Sequence, residues 1–306
     1  MLKRTLYFGN PAYLNLKEGQ LVITFPNDQG MAELTGKNKV PVEDIGIVLL
    51  DHRQITITHG LLNALLANNA AIITCDDAHL PSGLLLPLAG HSAQTERIKA
   101  QTEASLPLKK QLWAQTVTAK LQNQAKAAAK WGINTEPLLH WASKVRSGDP
   151  DNFEARGAAY YWKNYLPPEF SFFRSREGVY PNALLNYGYA IVRAIVARAL
   201  VSSGLLPTLG LFHSNKYNAY CLADDIMEPY RPFVDITIRD MVLSAHPNEM
   251  ELNNTTKMVL LALPTLDIAI NNEKSPLMVA ASRTTASLAR CFLGEEKKLA
   301  YPEFLA

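Results

Sequence analysis

Residues 108–131 read LKKQLWAQTVTAKLQNQAKAAAKW, a stretch built almost entirely from Ala, Leu, Lys and Gln. These are strong helix formers, and the run is long enough to hold a helix of several turns. It sets the character of everything from about residue 95 onward, which reads as helical. The residues before it read differently. Leu21, Ile23 and Phe25 alternate with their neighbours, as do Ile45, Ile47 and Leu49 in VEDIGIVLL. QITIT at 54–58 is rich in β-branched residues, and AAIIT at 70–74 is a short apolar run closing on Cys75-Asp76-Asp77. These are strand signals. GLLNALLANN, at 60–69, is the one helix expected among them. HLPSGLLLPLAGH, at 79–91, carries two prolines and two glycines and reads as a connector. The expected fold class is therefore α+β with two domains. A small β-rich domain spans 1–75, a connector 76–95 and a larger all-helical domain 96–306.

Composition narrows the classes of function. The chain has 306 residues and 33.9 kDa, 48% hydrophobic and 19% charged, so a disordered chain is excluded. The net charge of +2 excludes a uniformly basic nucleic-acid binder, yet the charge is uneven. Residues 1–95 carry net −2, residues 96–223 net +8 and residues 224–306 net −4. A basic middle segment can gather phosphates, or it can be an ordinary solvated helix surface. Cys75, Cys221 and Cys291 are too few and too scattered for a disulfide framework or a zinc ribbon, and fit a reducing compartment. No apolar stretch follows the first basic residues, and the most apolar segments carry charges such as Arg193, Arg198 and Asp267. The expectation is a cytoplasmic protein with no membrane span and no signal peptide.

Three positions stand in unusual local contexts. Glu154 follows Asp149-Pro150, a good helix start, and is surrounded by Ala155, Gly157, Ala158 and Ala159. Such small residues let another helix approach closely; alternatively, Glu154 is a solvated carboxylate favouring a helix N-terminus. His213, in LPTLGLFHSNKYNAY, is expected where a helix ends, as a structural imidazole or a metal ligand. In LADDIMEPYRPFVD, Asp225 and Glu228 are three apart and share one face of a helix. Two carboxylates side by side call for a cation, either a metal ion or Arg231. Two carboxylates and an imidazole suit Mg²⁺ or Mn²⁺, and an ion so held acts on phosphodiesters. A fourth feature is the helical recurrence of Asn182, Asn186, Tyr189 and Arg193, a face able to bind phosphate and sugar oxygens or an ordinary polar face.

These segments carry a resemblance. DPDNFEARGAAYYW, the long stretch from Asn182 to Asp235 with its His and DDIMEPYRP elements, and the earlier CDDAHLPSGLLLPLAGH resemble the CRISPR-associated integrase, the catalytic subunit of the spacer-acquisition complex. The glutamate as last ligand and the short chain look like the type II variety. The resemblance implies that Glu154, His213 and Glu228 are both catalytic residues and metal ligands. It matches Asp225 to an acidic neighbour of the ligands; at the edge of the site, this accessory acid is expected to orient His213 or a metal-bound water, so that Asp225→Asn keeps partial activity, recoverable at high Mn²⁺. It implies a homodimer through the β-rich domain, consistent with strand edges that need covering. It also implies a ferredoxin-like second adaptation subunit as partner and, for the type II variety, a large effector nuclease beside it. The substrates implied are double-stranded DNA, a prespacer and a CRISPR repeat. The 3′-hydroxyls of the prespacer attack the leader–repeat region by transesterification. DNA contacts are expected from Lys163, Arg174, Arg176, Asn182, Tyr189, Arg193, Lys216 and Arg231. Two other readings stay open: a general metal-dependent DNA endonuclease, and a non-catalytic DNA-binding scaffold.

Overall fold

The computed structural model describes residues 3–26, 39–175, 180–244 and 251–305. The chain forms two compact units, residues 1–90 and 91–306.

The first unit begins with β1 (Arg4–Phe8), β2 (Ala12–Lys17), β3 (Gln20–Thr24), β4 (Lys39–Pro41), β5 (Ile45–Leu50) and β6 (Ile55–Ile57). Helix α1 (His59–Ala67) and strands β7 (Ala71–Cys75) and β8 (Pro81–Leu85) complete it. One sheet has the order β1-β5-β7-β8, with the first three strands parallel and β8 antiparallel to β7. The other has the order β4-β3-β2-β6. Leu14 and Leu21 from the second sheet, Ile45, Val48 and Ile72 from the first, and Leu61 and Leu65 from α1 share one buried cluster. Thr58 caps α1 by accepting from the Leu61 amide. The segment expected as a bare connector thus contains a strand. Its prolines and glycines lie in or beside β8, which sits at a sheet edge, where a missing amide donor leaves no interior ladder bond unmade.

The second unit contains α2 (Gln94–Thr102), α3 (Leu106–Lys130), α4 (Glu136–Lys144), α5 (Phe153–Lys163) and α6 (Asn182–Ser202). It continues with α7 (Cys221–Met227), a 3-10 turn Glu228–Tyr230, α8 (Arg231–Ser244), α9 (Asn254–Leu261), β9 (Asp267–Ile270), β10 (Glu273–Pro276) and α10 (Leu277–Phe292). It is therefore not all-helical. β9 and β10 form an antiparallel hairpin, and Asn271 and Asn272 both take positive φ, as a tight two-residue hairpin turn demands. α6 is long and apolar enough to cross a membrane, and 83% of its most apolar window is buried inside the protein, as befits a core helix. It stops at Ser202, before Gly204 with φ +71°. The glycine in α5 has a specific use. A Cβ on Gly157 would lie 2.1 Å from Leu121 Cδ2, so its absence lets α5 pack closely on α3.

Candidate metal and nucleic-acid site

The site is assembled in the second unit from α3, α5, the segment after α6, and the turn after α7. On α3, Thr116, Lys120, Asn123 and Gln124 are all buried among apolar neighbours. Asn123 donates to the carbonyls of Pro229 (2.8 Å) and Pro302 (2.9 Å), which ties the Glu228–Tyr230 turn to this helix. From the other side, Asp149 fixes the start of α5. Its carboxylate accepts from the amides of Phe153 (3.0 Å) and Glu154 (2.9 Å). The result is that Glu154 and Glu228 converge on one ammonium. Lys120 Nζ donates to Glu154 Oε1 and lies 2.6 Å from Glu228 Oε2. Arg231 Nε is 3.0 Å from the other Glu228 oxygen. The Glu228 contact with Lys120 is an ion pair out of hydrogen-bond alignment, so the buried Oε2 has no aligned donor. Burial alone would raise the Glu228 pKa, but Arg231 and Lys120 hold it down at about 2. Burial likewise opposes the charge on Lys120, and the two carboxylates outweigh it, so its pKa is raised.

His213 lies in the segment between α6 and α7, eleven positions past the end of α6, and not at a helix end as expected. What holds it is Asp225, whose side chain is fully buried. The Asp225 carboxylate accepts from the amides of Leu211 (2.6 Å), Phe212 (3.0 Å) and His213 (3.3 Å), and stands 2.5 Å from His213 Nδ1. Gly210 makes that wrap possible, since a Cβ there would meet the His213 carbonyl at 2.2 Å and Asp225 Oδ2 at 2.9 Å. The hydrogen bond to Asp225 raises the His213 pKa, against burial and with help from the charges of Asp225, Glu228 and Asp224. With Nδ1 engaged, Nε2 is the nitrogen left to coordinate. Asp225 and Glu228 do not share a cation. One serves His213, the other Lys120 and Arg231, while Asp224 pairs with Arg193 (2.7 Å).

Among the described residues, no three His, Cys, Asp or Glu side chains cluster closely enough to be a ready-made metal cage. At the centre, the Lys120 ammonium contacts both carboxylates. The donor set nevertheless fits a hard divalent cation: two carboxylates, one with a buried oxygen lacking an aligned donor, and an imidazole whose tautomer is fixed by a carboxylate.

The expected DNA-facing groups divide. Lys163 and Lys216 are exposed, the latter over the Tyr217 ring at 4.8 Å. Arg193 is partly exposed but spends its Nε on Asp224. Arg176 lies outside the described residues. Asn182, Tyr189 and Arg231 do not form an outward face. Asn182 and Asn186 accept from the Arg174 guanidinium at 3.0 and 2.8 Å, and the Tyr189 hydroxyl donates to buried Asp235. Arg231 stacks over the Tyr189 ring at 4.6 Å and faces Glu228. The recurrence of polar groups along α6 is real, but their partners are internal. Burial pushes Asp235 up to about 7, even with Tyr189 donating to it.

Comparison with known proteins adds the following. The family model described as CRISPR associated protein Cas1 matches residues 6–269. A CRISPR-associated endonuclease Cas1 from Neisseria meningitidis serogroup C (strain 8013) is 35% identical over 308 residues, covering 100% of this chain and 97% of that protein. Among solved structures, a casposase bound to its integration product superposes with a TM-score of 0.76 at 18% identity, covering 98% of this chain and 92% of that one. A Cas6-RT-Cas1–Cas2 complex gives 0.74 at 16% identity, covering 97% of this chain and 36% of that one. At such identities the superpositions speak for the fold.

Proposed function

The chain belongs to the CRISPR associated protein Cas1 family, and on that premise we propose that it is a metal-dependent DNA integrase of CRISPR adaptation. The observation that carries the reading is the convergence of Glu154 and Glu228 on one point, with His213 held by Asp225 within the electrostatic reach of Glu228. A scaffold that merely bound DNA would have no use for a buried Glu228 and a half-buried Glu154 meeting on one point. Glu154, Glu228 and His213 Nε2 would hold Mg²⁺ or Mn²⁺. Such an ion supplies charge neutralisation at the scissile phosphate and at the departing oxygen.

The protein's own groups do the rest. Asp225 keeps the His213 proton on Nδ1 and the ring in place. Arg231 neutralises Glu228 from the side opposite Lys120. Exposed Lys163 and Lys216 contact backbone phosphates without reading bases. The reaction is a transesterification. A prespacer 3′-oxygen forms a new bond to phosphorus, the bond to the 3′-oxygen of the cut strand breaks, and that oxygen leaves with a proton. The number of phosphodiester bonds is unchanged, so no energy source is needed. The β-rich unit carries the homodimer contact, and a ferredoxin-like second subunit joins two such dimers. The Cas1–Cas2 assembly of the structural relative supports that partnership.

The test is a labelled prespacer duplex with free 3′-hydroxyls, offered with a supercoiled plasmid carrying a leader and repeat, in the presence of the second subunit and Mn²⁺. Label joined at the leader–repeat junction by the wild type, and none by a well-folded His213→Ala protein, is expected. Degradation without joining, or normal joining by His213→Ala, overturns the reading.

A further inference from the structure

Lys120 is the centre of the site and has no assigned role. Its ammonium is buried, bound to Glu154 and 2.6 Å from Glu228, so it lies where those two carboxylates would ligate an ion. Glu154 and Glu228 bring two negative charges, and Lys120 and Arg231 bring two positive ones. The cluster is thus balanced in the free protein. Adding a divalent ion leaves an excess of positive charge in a poorly solvated place, which is unfavourable unless anions arrive with it. DNA phosphates are such anions. The displaced ammonium also has somewhere to go. Gln124 stands one helical turn from Lys120 on the same face of α3, and its buried Oε1 has no hydrogen-bond partner. A buried acceptor without a donor is unusual enough to call for a reason.

We propose that Lys120 is a built-in competitor for the divalent ion. It closes the Glu154–Glu228 pair in the free protein and yields when DNA phosphates accompany the ion, so that metal binding and DNA binding are coupled. This rests on the metal-dependent reading above. The device keeps the nuclease chemistry of the centre quiet until a substrate is seated. Because coupling is reciprocal, the ion must tighten DNA binding by the same factor that DNA tightens ion binding.

The experiment measures Mn²⁺ binding to the full-length protein by the electron paramagnetic resonance signal of free Mn²⁺. It is done with and without a duplex whose 3′ ends are dideoxy-blocked. For the wild type, duplex is expected to tighten Mn²⁺ on the order of tenfold, within the usual range of coupling between sites. Lys120→Met is expected to bind Mn²⁺ on the order of tenfold more tightly without DNA, and to gain little more from duplex. Lys120→Gln, which keeps a hydrogen-bond donor but no charge, is expected to behave in the same way and covers the case in which the methionine variant folds poorly. The ¹⁵Nζ resonance of Lys120, protected from exchange while clamped, is expected to shift and to lose that protection when Mg²⁺ and blocked duplex are added together. A merely charge-repelling lysine that never leaves the carboxylates would keep its protection from exchange, whatever shift the ion's field adds. Unchanged or weaker Mn²⁺ binding by both variants without DNA overturns the inference while leaving the metal reading intact. If the wild type shows no saturable Mn²⁺ site with duplex, or Glu228→Gln binds as the wild type does, the metal reading falls and this inference with it.

Discussion

Replacing Asp225 by Asn changes one atom, yet it strikes the element on which His213 depends. The carboxylate accepts three backbone amides and contacts the imidazole, with Leu211 and Phe212 on Oδ2 and the His213 amide and Nδ1 on Oδ1. An asparagine keeps one oxygen. Its best placement leaves that oxygen on Leu211 and Phe212, the shorter backbone pair, and turns the amide NH₂ toward His213. There it opposes the His213 amide, donor against donor, and it satisfies the ring only if Nδ1 becomes an acceptor. Hydrogen bonds to a charged partner contribute about 1.5–3 kcal/mol each, so losing one or two of them gives a destabilisation of about 1.5–6 kcal/mol. The larger consequence is chemical. With Nδ1 accepting, the proton resides on Nε2, and that nitrogen can no longer coordinate. The sequence alone suggested an activity recoverable at high Mn²⁺; the geometry predicts one that is not. Urea denaturation reads the stability, and long-range proton–nitrogen correlation spectra read the His213 tautomer beside a Mn²⁺ titration. An Asp225→Asn protein that keeps its proton on Nδ1, binds Mn²⁺ within a few-fold of wild type and loses less than about 1 kcal/mol would refute the reasoning.

Two further outcomes follow from the packing. Gly157→Ala places a methyl 2.1 Å from Leu121 Cδ2, and such overpacking costs about 1–3 kcal/mol; a thermal unfolding temperature equal to wild type would show that α5 does not need the close approach to α3. Asp235, pushed up to about 7 by burial, binds its proton more tightly when folded than when unfolded, so its contribution is present at the acid end and is lost as pH rises from about 4 to 7, by up to about 4 kcal/mol. Asp235→Asn, permanently neutral, is expected to flatten that stretch of the urea-stability profile relative to wild type, and parallel profiles for the two proteins would contradict the assignment.

The parts of the fold that could be read from sequence are those in which side-chain chemistry and backbone period agree. The strands around Ile23, Ile47, Ile57 and Ile73 were readable because β-branched residues fill them, and the helical half because Ala, Leu, Lys and Gln do. The hairpin of Asp267–Ile270 and Glu273–Pro276 was not. One of its strands is EKSP, with no β-branched residue, and its signal is a bare Asn-Asn turn. Lys120 was missed for a related reason: a lysine inside a run of helix formers looks like a solvated one until its carboxylate partners, 34 and 108 positions away, are known. The misreading of α6 teaches something more general. Period places Asn182, Asn186, Tyr189 and Arg193 on one side of a helix, but it does not say whether that side meets water. The inference to an outward face holds for a helix with one buried side. α6 is buried on nearly every side, so most of its polar groups had to find partners within the protein, and they found them in Arg174, Asp235 and Asp224. A polar stripe on a helix too apolar to be a surface helix is therefore better read as the sequence of a buried network. That network brackets the candidate site, because Arg231 touches both Tyr189 and Glu228.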